Sequence, residues 1–81
     1  MSRIFSRIRA IVASALNVPD IQELTPTTDV YSDLGAGITD VTLIAVGIEE
    51  EFNIVLPEES EYEARTITDF VKLAEKHGAT A

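Results

Sequence analysis

Apolar residues fall at helical spacing in three stretches of this 81-residue chain, and that periodicity restricts the fold to a few packed helices. In the first stretch Ile4, Ile8, Ile11, Val12, Ala15 and Leu16 share one side, while Arg3, Arg7, Ala10 and Ser14 take the other. The spacing predicts an amphipathic helix ending near Asn17, because Pro19 restricts Val18 and has no N–H to continue the ladder. From there to about Thr39 the chain carries Pro19, Pro26, Thr27, Thr28, Gly35 and Gly37 without a sustained period, the pattern of a long loop. Val30, Tyr31 and Leu34 are its expected anchors. A second helix is predicted from about Asp40 to Glu51 or Phe52, with Val41, Ile44, Ala45, Ile48 and Phe52 on one face and Gly47 weakening it slightly. Pro57, Glu58 and Glu59 resemble the first turn of a short third helix reaching about Ala64. Thr66, with Asp69 three residues on, signals the cap of a last helix carrying Ile67, Phe70, Val71 and Ala74, with Lys76, His77 and Gly78 at its end.

A chain of 81 residues has room for one domain, 1–81, and an apolar fraction of 46% separates it from a disordered acidic tail. With no cysteine it offers no disulfide, thiolate nucleophile or cysteine-based metal site. The net charge of −8 is unevenly spread: residues 10 to 64 hold twelve carboxylates and no lysine or arginine. Such a field repels nucleic acid and anionic membrane and attracts basic patches on proteins; the plainer reading is solubility alone. No run approaches the roughly 20 apolar residues of a membrane span. The first nineteen residues contain arginines and serines but no acid, faintly like a targeting segment. Their helical patterning assigns them to the fold instead, and a cytoplasmic monomer is expected.

No catalytic set emerges. The one histidine, His77, falls at a helix end and reads as a capping cation. Glu49, Glu50 and Glu51 are consecutive and so point around a helix, not at one shared substrate. Gly35-Ala36-Gly37 lacks the lysine of a phosphate loop and reads as a turn. Asp29 to Asp40 spans twelve residues with acids at both ends, but Tyr31, Leu34 and Asp40 occupy positions where a calcium loop needs a ligand, a glycine and a glutamate. No metal is expected.

The order helix, long loop, helix, short helix, helix frames three quoted segments: Asp33-Leu34-Gly35-Ala36 before the second helix, Glu49-Glu50-Glu51-Phe52 at its end, and Leu56-Pro57-Glu58-Glu59 after it. Across nearly the whole chain this resembles the acyl carrier protein family, whose members read D-L-G-A-D-S-L-D, L-E-E-E-F and I-P-D/E-E at the same spacing. The resemblance implies an all-α four-helix bundle with three longer helices, one short helix and a long loop between helices one and two. It also implies a motif serine that takes up 4'-phosphopantetheine. Aligned without gaps, that serine is Ile38, flanked by Gly37 and Thr39, so no cofactor is expected here. Thr39 has a hydroxyl but lies one residue later, about 100° around the helix, and is expected to cap it.

The family docks its acidic second helix on basic patches of acyl-transfer or synthase enzymes, and Asp40, Glu49 and Glu50 occupy matching positions. The family's mid-helix glutamate is Leu43 here and its exposed methionine is Val46. With Ile38 these form an apolar patch if exposed, or core if the long loop covers them. Ile44, Ile48, Phe52, Leu56, Ala64 and Phe70 match the lining of the family's acyl pocket and are equally ordinary core residues; Glu61 replaces a small apolar residue of the short helix. The expected function is a non-catalytic, acyl-carrier-like docking module. The alternative is an ordinary carrier for fatty-acid or polyketide synthesis whose acceptor serine was lost, and a small carboxylate enzyme is the third reading.

Overall fold

A computed structural model describes residues 3–80. Three α-helices, α1 (Arg3–Leu16), α2 (Ile38–Phe52) and α3 (Ile67–Lys76), pack around one cluster of buried side chains. Single 3₁₀ turns at Ile21–Glu23 and Ser60–Glu63 interrupt the connections. Among the described residues there is no β-strand, only an isolated antiparallel bridge between Asp29 and Thr66.

The helices form where the period places them. Ile8 and Val12 of α1, Val41, Ile44 and Ile48 of α2, and Ile67, Phe70 and Ala74 of α3 are completely buried. Phe5, which falls outside the face expected for α1, is buried too. Left-handed residues, with φ of 54° at Asn17, 55° at Asn53 and 109° at Gly78, turn the chain off each helix. At each end an amide just past that residue closes onto a carbonyl five residues back: Val18 to Ala13, Ile54 to Glu49 and Ala79 to Ala74. Asn17 and Asn53 serve here because asparagine tolerates the left-handed region better than most side chains.

The long connection between α1 and α2 is tied down through its backbone. Val30 donates to the Arg65 carbonyl at 2.8 Å, Ile67 to that of Thr28 at 3.1 Å, and Thr68 to that of Pro26 at 3.0 Å, so the loop is zipped to the entrance of α3. Leu24, Thr28 and Val30 point inward, whereas Tyr31 and Leu34 are only half-buried. The Asp29 carboxylate organises the next turn: Oδ1 accepts from the amides of Tyr31 (2.8 Å) and Ser32 (3.0 Å), and Oδ2 from Arg65 Nε (2.9 Å). The Ser32 amide, aided by Arg65 and Tyr31, holds this carboxyl below its ordinary pKa. At α3 the expected cap forms: Thr66 Oγ1 accepts from the Asp69 amide at 3.1 Å, and Asp69 Oδ2 accepts from the Thr66 amide at 3.1 Å and the Arg65 amide at 3.0 Å. Those amides, Thr66 foremost, lower the Asp69 pKa as well.

Three details differ from the sequence expectation. The short third helix is only the Ser60–Glu63 3₁₀ turn, because Glu59 sits at φ 68°, outside right-handed helical space, and breaks the run from Pro57. Helix α2 begins two residues earlier than expected, at Ile38. Thr39 is therefore inside α2 and does not cap it: Gly37 is the cap residue, and the Asp40 carboxylate reaches back to the Gly37 amide at 2.9 Å.

Candidate docking surface on helix α2

The start of α2 is the position the sequence singled out. Gly37, extended at φ −98° and ψ 177°, turns the chain into the helix, and Ile38 follows as its first residue with 70% of its surface exposed. Thr42 Oγ1 donates to the Ile38 carbonyl at 3.0 Å and shares a 2.7 Å hydrogen bond with the Tyr62 hydroxyl, which fastens the second 3₁₀ turn to the first turns of α2. Thr39 is exposed beside Ile38.

Leu43 and Val46 are 53% and 42% exposed, so the long loop does not fold over them. Three apart on one face, they make an apolar strip on the side of α2 turned away from the core. The acids around them are used unequally. Asp40 serves the Gly37 amide. Glu49 Oε2 accepts from the Leu56 amide at 2.8 Å and so fixes the chain after α2. Glu51 is held by Arg7, whose Nε donates to Oε2 at 2.7 Å while Nη2 donates to the Glu51 carbonyl at 3.1 Å. The Glu50 side chain is exposed and has no ion pair or hydrogen bond to another described residue. Sequence reading finds these charges but not their division of labour, which depends on where Leu56 and Arg7 arrive in space.

On the core side, Ile44, Ile48 and Phe70 are fully buried and Leu56 and Ala64 nearly so. Phe52 is half-buried, with the Arg7 guanidinium 4.4 Å above its ring. Glu61 is half-buried in the second 3₁₀ turn. On the α1 side, an open trough runs between the two helices, with Ala10, Ile11 and Ser14 facing Leu43, Gly47 and Glu50. Among the described residues no helix is long and apolar enough to cross a membrane.

This all-helical order, with an exposed turn opening into an acid-bearing helix, is compatible with a carrier-protein fold, and comparison with known proteins shows the family. The family model for the phosphopantetheine attachment site matches residues 6–74, and the chain belongs to that family of acyl carrier proteins. An acyl carrier protein from Helicobacter pylori (strain J99 / ATCC 700824) is 38% identical over 72 residues, covering 89% of this chain and 91% of the relative. Acyl carrier proteins from the G27 and HPAG1 strains of the same organism are 35% identical over the same shares.

Proposed function

We propose that residues 1–81 form a single carrier-fold domain that receives no phosphopantetheine at position 38 and acts by docking on partner proteins through α2. The observation that carries this reading is the exposed Ile38 at the first residue of α2, where the family motif calls for serine. Attachment of phosphopantetheine requires an oxygen nucleophile to attack the phosphorus of coenzyme A, and an isoleucine side chain has none. Thr39 is a secondary alcohol about 100° further around the helix, a poor substitute. No catalytic residue or metal is assigned. The docking face comprises Leu43, Val46 and Glu50, with Asp40 and Glu49 adding to its negative field, and it suits basic surfaces of acyl-transfer or synthase enzymes. A cytoplasmic monomer completes the reading.

The second reading, an ordinary carrier for fatty-acid or polyketide assembly whose serine was replaced, draws on the same family membership and the same core lining of Ile44, Ile48, Phe52, Leu56, Ala64 and Phe70. Incubating the Ile38→Ser variant with coenzyme A and a broad-specificity phosphopantetheinyl transferase tests what the two share. Gain of one phosphopantetheinyl group, seen by intact mass, is the expected result; failure of the variant to load removes the carrier-like start of α2 from the account.

A further inference from the structure

The chain's two lysines and its single histidine line one cleft, between α3 and the second 3₁₀ turn. Asp69, Lys72, Leu73, Lys76 and His77 recur at helical spacing and form the α3 wall, while Pro57, Ser60, Glu63 and Ala64 form the other. The cleft holds about 370 Å³, the scale of a small molecule. Its cations differ from the arginines in being unused. Arg7, Arg9 and Arg65 are held within the domain by Glu51, the Phe5 ring and Asp29, whereas the side chains of Lys72, Lys76 and His77 have no hydrogen bond or ion pair to another described residue. Ser60 Oγ, closed off from solvent, lacks a hydrogen-bond partner among the described residues, although buried hydroxyls nearly always have one. Complementing the α3 dipole accounts for Lys76 and His77, but not for Lys72 a turn earlier or for Ser60.

We infer that this cleft binds a small monocarboxylate with a short apolar chain, its carboxylate between Lys72 and Lys76 and its chain against Ala64, Leu73 and Pro57. The inference goes beyond the docking reading above and does not depend on it. The two lysines stand one turn apart, about 6 Å along the axis, so the two oxygens of one carboxylate can be shared between them. Buried Ala64 and half-buried Leu73 give the chain an apolar floor. A dianion is disfavoured, because Glu63 lies on the opposite wall and the whole chain carries −8. Asp69 is committed to the Arg65 and Thr66 amides, and Lys72 reaches it only through space. Turned about χ1 into the cleft it lines, the Ser60 hydroxyl would donate to the same carboxylate and gain the partner it lacks.

The test titrates the full chain, labelled with ¹⁵N, with sodium hexanoate at neutral pH and constant ionic strength. Saturable amide-shift changes are expected at Ser60, Ala64, Lys72, Leu73, Lys76 and His77, half-complete on the order of 1 mM for so small a ligand. Lys72→Gln and Lys76→Gln should each weaken binding about threefold, the size of an exposed ion pair, and Glu63→Gln should tighten it by a similar factor. Glu50→Gln, which removes the same charge from α2, should leave it unchanged. All four side chains are exposed, and amide spectra of each variant verify folding. Shift changes that do not saturate or fall on another face would overturn the inference. Equal binding of hexanamide or of acetate, or tighter binding of inorganic phosphate, would overturn it too, by removing the need for the charge, the apolar chain or the single negative charge in turn. Loading at position 38 and docking through α2 use other residues, so failure of either reading leaves the other standing.

Discussion

Gly47 is the position where packing and propensity oppose each other most directly. In a helix interior, Gly→Ala alone stabilises by about 1 kcal/mol, because glycine loses more backbone freedom on folding. Here the added methyl would lie 2.7 Å from Ile11 Cγ2, with Ile11 Cγ1 and Cβ at 3.7 and 3.8 Å. Ile11 is β-branched and held to essentially one rotamer in α1, so it cannot swing aside, and overpacking of this kind costs about 1–3 kcal/mol. The clash wins: Gly47→Ala is expected to destabilise the fold by roughly 1 kcal/mol, which for a domain of this size lowers Tm by about 4–8 °C. In an Ile11→Ala background the obstructing carbons are gone, and the same substitution should stabilise by about 1 kcal/mol, a coupling of about 2 kcal/mol between the two sites. Urea denaturation of the four proteins of this cycle, followed by circular dichroism, measures it. Stabilisation by Gly47→Ala in both backgrounds would refute the close approach of α1 and α2 at Gly47 and Ile11.

Other expectations concern the ends of the helices and the loop. Because the folded-state pKa values of Asp29 and Asp69 are depressed, their contribution is fully present above the ordinary carboxylate range and is lost as pH falls through the depressed values. Urea midpoints should therefore drop on acidification below about pH 4, and Asp29→Asn should flatten that drop; an unchanged pH profile in the variant contradicts the assignment. Thr66→Ala removes the oxygen that accepts from the Asp69 amide and should cost about 1 kcal/mol by the same assay, with no loss meaning that the cap is idle. Ile38→Ser touches a side chain that is 70% exposed, so its stability should stay within about 0.5 kcal/mol of the parent; a larger loss would show that Ile38 packs against something.

Periodicity made the three α-helices legible, since each carries enough buried residues at helical spacing to define a face. It was blind to Phe5, which sits next to Ile4 and widens the buried stripe of α1. It is equally blind to Leu24 and Thr28, which are buried from a loop that carries no period; the Thr28 carbonyl is held by the Ile67 amide, and Pro26 and Val30 on either side are tied to Thr68 and Arg65. The second 3₁₀ turn reads as a helix in sequence, because proline followed by acids marks a helix start but cannot reveal that Glu59 adopts a left-handed conformation. Thr39 reads as a cap for a related reason: threonine suits a cap position, yet glycine takes that place and Asp40 supplies the acceptor. The exposure of Leu43 and Val46 depends on where the loop runs, and three-dimensional placement alone reveals it.

Whether position 38 stays bare is decided by the intact mass of the unaltered chain after co-expression with a broad-specificity phosphopantetheinyl transferase and purification without denaturation. The mass of the bare polypeptide is expected, with the Ile38→Ser variant from a parallel preparation heavier by one phosphopantetheinyl group. A phosphopantetheinyl group on the unaltered chain, mapped by peptide sequencing to Thr39 or any other hydroxyl, would contradict it.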